Sequence, residues 1–275
     1  MKPEDLIGCG PFSWTDPSSG QVWSPSSGTN DCPDQSYRMT LIDGLRKSVN
    51  SVAARLITQI TSPAEVKNIL IKAGIESKIN AVPALALGAG GEFKPIELIS
   101  AYSVFSNEGF AVKPFFLNEV EDKQGNLIYK KNQGRQVSDV LNREVAQNTT
   151  YMLEQVVNRG TAARIRTYFK GIAAAGKTGT TNNNTDAWFI GYTPELLCGI
   201  WVGFDDQRFN FDVMGAGGQG GRAAGPIWGK LMSKIYADKL LPYRKKSFDY
   251  NNTDINPANI DSLRNQPIEE VEEIR

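Results

Sequence analysis

The sequence predicts an α+β domain, an antiparallel sheet flanked by helices. Two observations carry this. Residues 40–109 and 142–158 place apolar side chains at helical spacing, whereas residues 172–204 hold three strand-like runs joined by tight connections. The strand region opens on Ala174-Ala175-Gly176-Lys177-Thr178-Gly179-Thr180-Thr181, which sets a lysine, three hydroxyls and two glycines on one short segment.

Taken in order, residues 1–37 read as irregular, because Gly8, Gly10, Pro11, Asp16-Pro17-Ser18-Ser19-Gly20, Pro25 and Pro33 break any long element. Strand-like pieces at 12–14 and 21–23 fit a hairpin across the Pro-Ser-Ser-Gly turn. So long a lead-in is uncommon at a domain's edge and implies that the chain begins inside a domain. Order begins at Thr40, which with Asp43 resembles a capping box. Leu41, Ile42 and Leu45, then Val49, Val52, Ala53, Leu56, Ile57 and Ile60, keep the helical period. The polar run Lys47-Ser48-Val49-Asn50-Ser51 interrupts it and predicts a break between two helices. Ser62-Pro63 starts another helix that stops at Gly74. Residues 85–91 read as a loop, 95–107 as a helix ended by Gly109, and Asp122-Lys123-Gln124-Gly125-Asn126 as the turn of a hairpin.

A helix over 142–158 follows, then a short one to Phe169. Strands are expected at 172–180, 186–192 and 196–204. Propensity alone would make Ile172-Ala173-Ala174-Ala175 helical. Gly171, Gly176 and Gly179 instead favour a strand over which a helix packs closely. A Gly-rich loop at 215–225 leads into a last helix, 226–240, and the polar tail after Pro242 is expected to be loose. The organisation expected is a lead-in (1–38), a main domain (39–241) and a tail (242–275).

Composition excludes several classes. The 275 residues carry 30 Lys+Arg against 30 Asp+Glu, so no global field favours nucleic acid or an anionic membrane. No apolar run approaches the roughly 18 residues of a membrane span, and no signal pattern opens the chain. Either the protein is cytosolic or the chain is part of something larger. The absence of histidine rules out Ser-His-Asp and Cys-His catalysis and imidazole metal sites, leaving lysine, carboxylate or hydroxyl groups to move protons. Cys9, Cys32 and Cys198 lack metal-ligand spacing. Cys198 reads as a buried inert thiol, and Cys9 and Cys32 could pair in an oxidising compartment, though sequence does not show their separation.

Gly215-Ala216-Gly217-Gly218-Gln219-Gly220 fits a dinucleotide fingerprint, but no second parallel strand follows, so a flexible connection is the better reading. Lys177-Thr178-Gly179-Thr180 is more informative. Alternating lysine and hydroxyls on a strand edge, with glycine allowing close approach, suit an extended peptide bound as an added strand, with a positive charge for its carboxylate and donors for an oxyanion. Upstream lies Ser48-Val49-Asn50, an S-x-N triplet, and S-x-N followed by K-T-G is the motif order of serine acyl-transferases that recognise penicillin.

From Met39 to Asp206 the chain resembles the transpeptidase domain of a class A penicillin-binding protein. The resemblance is carried by Ser48-Val49-Asn50, Ala84-Leu85-Ala86-Leu87-Gly88, Val157-Asn158-Arg159-Gly160-Thr161-Ala162, the segment 175–181, Asp186-Ala187-Trp188-Phe189-Ile190-Gly191-Tyr192-Thr193-Pro194, and Gly225-Pro226-Ile227-Trp228. It implies a β-lactamase/penicillin-binding transpeptidase-like fold, incomplete on its N-terminal side, with one edge of the strand 196–204 uncovered. It also implies D,D-transpeptidation: a serine attacks the terminal D-Ala-D-Ala of a peptidoglycan stem peptide, and an amine of a second stem peptide takes the acyl group. β-Lactams would mimic the donor; no cofactor, metal or nucleic acid is involved, and the domain would lie on the periplasmic face of the cytoplasmic membrane.

By the same resemblance Ser48 relays a proton to the leaving amine, Asn50 holds the substrate backbone and Lys177 is the electrostatic partner of Ser48. Thr178, Gly179 and Thr180 bind substrate, the two hydroxyls at its carboxylate and the Thr180 N–H at the oxyanion. The family nucleophile sits in S-x-x-K upstream of S-x-N, and none of Ser13, Ser18, Ser19, Ser24, Ser26, Ser27 and Ser36 is followed three residues later by lysine. The chain alone is therefore expected to be inactive. The alternatives are a non-catalytic penicillin-recognising scaffold and a D,D-carboxypeptidase or β-lactamase of the same fold; Gly191-Tyr192-Thr193-Pro194 and Asn158-Arg159-Gly160-Thr161 favour the class A synthase.

Overall fold

A computed structural model describes residues 1–250 apart from 26–31, 33, 35, 132–136, 182–183, 207 and 212–216. The start of the Gly-rich loop and the tail beyond Tyr250 lie outside the described residues. The first forty residues form β1 (Leu6–Gly8), β2 (Trp14–Thr15), β3 (Val22–Trp23) and β4 (Arg38–Thr40). β2 and β3 are the expected hairpin, with Trp14 opposite Trp23. β1 and β4 pair antiparallel, Ile7 opposite Met39, a strand pair not expected in a region read as irregular apart from that hairpin. Three-residue strands carry too little alternation to be read from sequence.

This lead-in is stitched to the domain. Cys9 and Cys32 form a disulfide, and both are buried with Ile7 against Val49 and Val52. The Ser51 hydroxyl donates to the Cys9 carbonyl at 2.6 Å, and buried Arg55 donates to the carbonyls of Gly10 (2.9 Å) and Pro11 (3.2 Å).

The helices follow their caps. α1 (Leu41–Lys47) begins where the Thr40 hydroxyl accepts the Asp43 N–H at 3.2 Å, and α2 (Asn50–Arg55) follows the predicted break. The expected continuation to Ile60 is wider-wound, a π-helical turn over Leu56–Ile60 closed by the Thr61 N–H on the Leu56 carbonyl. α3 (Pro63–Lys72) is capped by Ser62 and stops before the left-handed Gly74.

Residues 83–87 are a 3₁₀ turn rather than loop: Pro83 presets its start, Leu85 is buried against the cluster around Ile57 and Val104, and Gly88 ends it. The helix expected at 95–107 divides at Tyr102 into α4 (Pro95–Ala101) and α5 (Ser103–Ser106). β5 (Phe110–Val112), the hairpin of β6 (Glu119–Glu121) and β7 (Leu127–Lys130), and β8 (Val137–Asp139) come next, β5 pairing with β8. α6 (Arg143–Arg159), capped by Asn142, leads through a 3₁₀ turn (Ala163–Thr167) to the main sheet.

That sheet is β9 (Ala175–Thr180), β10 (Asp186–Tyr192) and β11 (Leu197–Gly203), antiparallel in the order β11-β10-β9. β9 starts three residues later than expected, because the Arg166 guanidinium holds the Phe169 and Ile172 carbonyls ahead of it. Among the described residues β11 has only β10 as a strand neighbour, as the resemblance implied. α6 packs across β9, where Ala175 leaves room, and α7 (Ala224–Ala237) packs across β10 and β11. Fully buried Trp228 of α7 meets the rings of Phe189 (5.4 Å) and Phe169 (5.5 Å) edge to face, and its indole N–H donates to the Cys198 carbonyl at 3.1 Å. Cys198 is half-buried, and that burial pushes its thiol pKa up, in keeping with an inert role.

The tail is not loose as far as Tyr250. Phe248 packs on Tyr192 at 5.7 Å, the Tyr250 hydroxyl donates to Glu154 at 3.0 Å, and Glu195 takes the Arg244 N–H and the Lys246 ammonium. Aromatic residues without period anchor it, which a search for period does not find.

The disulfide closes a separation of 23 residues and so restrains the unfolded chain. Cys32→Ser is expected to lower the unfolding free energy by about 3 kcal/mol, measured by equilibrium urea unfolding, and reductant should then have no further effect on the variant.

Candidate active site

One wall of the cleft is the junction of α1 and α2. α1 ends in a Schellman motif: the Ser48 N–H donates to the Leu45 carbonyl at 3.1 Å and the Val49 N–H to the Gly44 carbonyl at 2.9 Å. The residue at the turn must be left-handed, and here it is Ser48, at φ 58° and ψ 50°. A side chain at positive φ is held at a cost, usually where the surrounding structure needs it. Asn50, two residues on, opens α2.

The opposite wall is β9. The Lys177 ammonium donates to the Ser48 hydroxyl oxygen at 2.8 Å and to the Thr178 carbonyl at 2.9 Å. Its stem is partly exposed, but its amine end is buried and no carboxylate among the described residues pairs with it. Burial alone therefore lowers its pKa from 10.5 to about 8. Successive N–H groups along a strand point to opposite sides. Because Thr181 donates to Asp186 of the neighbouring β10, the Thr180 N–H projects toward the edge of β9 that has no strand neighbour among the described residues. The Thr180 hydroxyl accepts the Gly220 N–H at 3.1 Å, so its own proton is free to be given outward. Thr178 shares a hydrogen bond of 2.8 Å with the Thr161 hydroxyl.

Ser48 and Lys177, separated by 129 positions in sequence, are thus in direct contact, with Thr178, Gly179 and Thr180 along the same edge. Three supporting groups had no role assigned from sequence. Arg46 binds Asp43 within α1 and reaches the Arg159 carbonyl at 3.0 Å, while its own carbonyl accepts the Thr161 N–H at 3.2 Å. It ties the Ser48 wall to the end of α6, and Thr161 ties that end to β9. Gly220, set aside as part of a flexible loop, lies so close to the backbone of Gly179 and Trp188 that no side chain would fit. Asn158-Arg159-Gly160-Thr161 was visible as a motif; its function as a brace was not. Among the described residues no cluster of acidic or sulfur ligands could hold a metal.

Known proteins resemble this chain in sequence and in fold. The family model described as the penicillin binding protein transpeptidase domain matches residues 1–233. Penicillin-binding protein 1A of Aquifex aeolicus is 32% identical over 249 residues, covering 89% of this chain and 32% of that protein. Penicillin-binding protein 1A of Neisseria flavescens is 33% identical over 77% of this chain and 26% of its own length. The chain thus spans about a quarter to a third of the length of these relatives. Among solved structures, penicillin-binding protein 1A from Haemophilus influenzae superposes with a TM-score of 0.75 at 27% identity, over 90% of this chain and 41% of that one. PonA1 of Mycobacterium tuberculosis gives 0.73 at 22% identity, over 90% and 66%, a likeness of fold.

The buried ammonium has a signature in stability. Its folded pKa lies below its unfolded value, so between about pH 8 and 10.5 the unfolded chain binds more protons and the folded state gains stability as pH rises. Below pH 8 the full cost of the buried charge is present. Lys177→Met removes that titration. The urea midpoint of the native chain should therefore rise relative to the variant's across this interval, and parallel pH profiles would refute the burial.

Proposed function

Because the chain belongs to the penicillin-binding protein transpeptidase family, in its class A, penicillin-binding protein 1A-like branch, we propose that its cleft is one half of a D,D-transpeptidase site. The site takes the D-Ala-D-Ala end of a peptidoglycan stem peptide, and β-lactams compete for it. The contact from the Lys177 ammonium to the Ser48 hydroxyl beside an open strand edge carries this reading.

The chemistry follows from the donors. An ammonium has three protons and no lone pair, so Lys177 can only donate to Ser48, which turns the hydroxyl proton of Ser48 away toward the cleft. When a leaving amine takes that proton, Ser48 is resupplied by Lys177, and a pKa lowered to about 8 makes that second transfer cheaper than from an ordinary lysine. The substrate lies along β9 as an added strand. Its terminal carboxylate meets the outward Thr180 proton and the Thr178 hydroxyl, and its scissile carbonyl meets the Thr180 N–H. Asn50, opening α2 beside Ser48, holds the substrate backbone from the other wall. Gly179 keeps the strand clear of side chains between the two threonines.

The attacking serine is supplied from S-x-x-K, which this chain does not contain. Amine rather than water as the acyl acceptor, and the serine-type D-Ala-D-Ala specificity, rest on the class A relatives. The Cys9–Cys32 disulfide supports an oxidising, extracytoplasmic site of action. No helix among the described residues is long and apolar enough to cross a membrane.

Incubated with a fluorescent penicillin, this chain alone is expected to form no covalent adduct in denaturing gels. The same chain extended N-terminally through an S-x-x-K segment should label, and Lys177→Ala should slow that labelling by roughly 10²-fold or more. Labelling of the short chain that disappears with Ser48→Ala would overturn the assignment of the nucleophile. Failure of the extended chain to label would favour the scaffold reading.

A further inference from the structure

A second concavity lies apart from the cleft. A cavity of about 1370 Å³ opens between α3, the irregular stretch 74–81, α4 and β5, and none of Ser48, Asn50, Lys177, Thr178 or Thr180 lines it. Its charge is one-sided. Five lysines face two carboxylates, and both carboxylates are taken, Glu76 by Lys113 at 3.0 Å and Glu97 by Lys94 at 3.2 Å. Lys67, Lys72 and Lys78 are left with no carboxylate partner among the described residues. Like charges gathered in a concavity focus a positive field there and draw in an anion.

The same cavity exposes apolar surface. Ile71 is 50% exposed, Ile96 39% and Phe116 89%, a grouping that usually marks a contact site. Backbone donors add a third feature. Ser77 donates its N–H to Glu97 and Asn80 to the Gly90 carbonyl, leaving the N–H groups of Glu76, Lys78, Ile79 and Ala81 without an acceptor among the described residues. A simple anion would use the charge and the N–H donors but not the apolar groups, and a lipid surface the charge and the apolar groups. An extended peptide uses all three.

We propose that this cavity docks an acidic peptide segment of a partner protein, its carboxylates on Lys67, Lys72 and Lys78 and its apolar side chains on Ile71, Ile96 and Phe116. The site is independent of the cleft's chemistry, so neither reading depends on the other.

The test is fluorescence anisotropy of a fluorescein-labelled decapeptide of alternating glutamate and leucine, titrated with the whole chain. Saturable binding is expected, weaker at high salt, and weakened roughly ten-fold by Lys72→Glu with Lys78→Glu. Both lysines are exposed, so the thermal midpoint of the double variant should match that of the native chain and assign the loss to binding. Equal binding of a lysine-leucine decapeptide, or indifference to the charge reversal, would overturn the proposal. So would a chain ended at Tyr250 that binds the probe roughly ten-fold more tightly than the full chain, since the occupant would then be the chain's own acidic C-terminal sequence. Lysine-dependent sedimentation with phosphatidylglycerol vesicles, with no binding of the peptide, would overturn it in favour of a lipid surface.

Discussion

A buried ammonium with no carboxylate partner among the described residues is the constraint on which the rest of the cleft depends. The Ser48 oxygen and the Thr178 carbonyl replace part of the water that the Lys177 ammonium loses. Those two acceptors come from opposite walls, so the charge is tolerated only while α1 and β9 stay at one separation. Arg46 and Thr161 form the brace that holds it: one links α1 to the end of α6, the other links that end to β9. Ser48 in turn has to occupy a left-handed turn that a glycine would take more easily. Glycine has no hydroxyl to accept the Lys177 ammonium, so the left-handed position coincides with the side chain that solvates the buried charge.

Behind the cleft, stability comes from elsewhere. Trp228, Phe189 and Phe169 interlock on the α7 face of the sheet, and Tyr192, Leu153 and Ala175 fill the α6 side. The lead-in is attached by the Cys9–Cys32 disulfide and by Arg55, and the segment through Tyr250 is held by Glu154 and Glu195. Both ends of the described chain are therefore fastened to the helices and turns that carry the site. Among the described residues β9 has no strand neighbour on its side away from β10, so the N–H and C=O groups on that side make no ladder bonds.

The parts legible in sequence were those coded within a few residues. Thr40, Ser62 and Asn142 each cap the helix expected after them, and Gly74 ends one where predicted. The three main strands and two hairpins carried their own alternation and turn residues. Boundaries set by distant partners were not legible. Arg166 delays β9, Leu85 folds 83–87 into a turn by burial, and Phe248 and Tyr250 pin a segment that lacks any period. The strand pairs β1–β4 and β5–β8 join segments about thirty residues apart, and nothing local marks such a pairing.

For the site the division is similar. Residue types alone excluded histidine chemistry, and the order of Ser48-Val49-Asn50 and Lys177-Thr178-Gly179-Thr180 pointed to penicillin-recognising acyl transfer. Only the folded chain brought the Lys177 amine to 2.8 Å from Ser48, buried it and lowered its pKa, and turned Gly220 from a flexible connection into a close-packed support for Thr180. The reason is physical. A motif specifies which groups are available, but desolvation and hydrogen-bond direction depend on what other segments place around them.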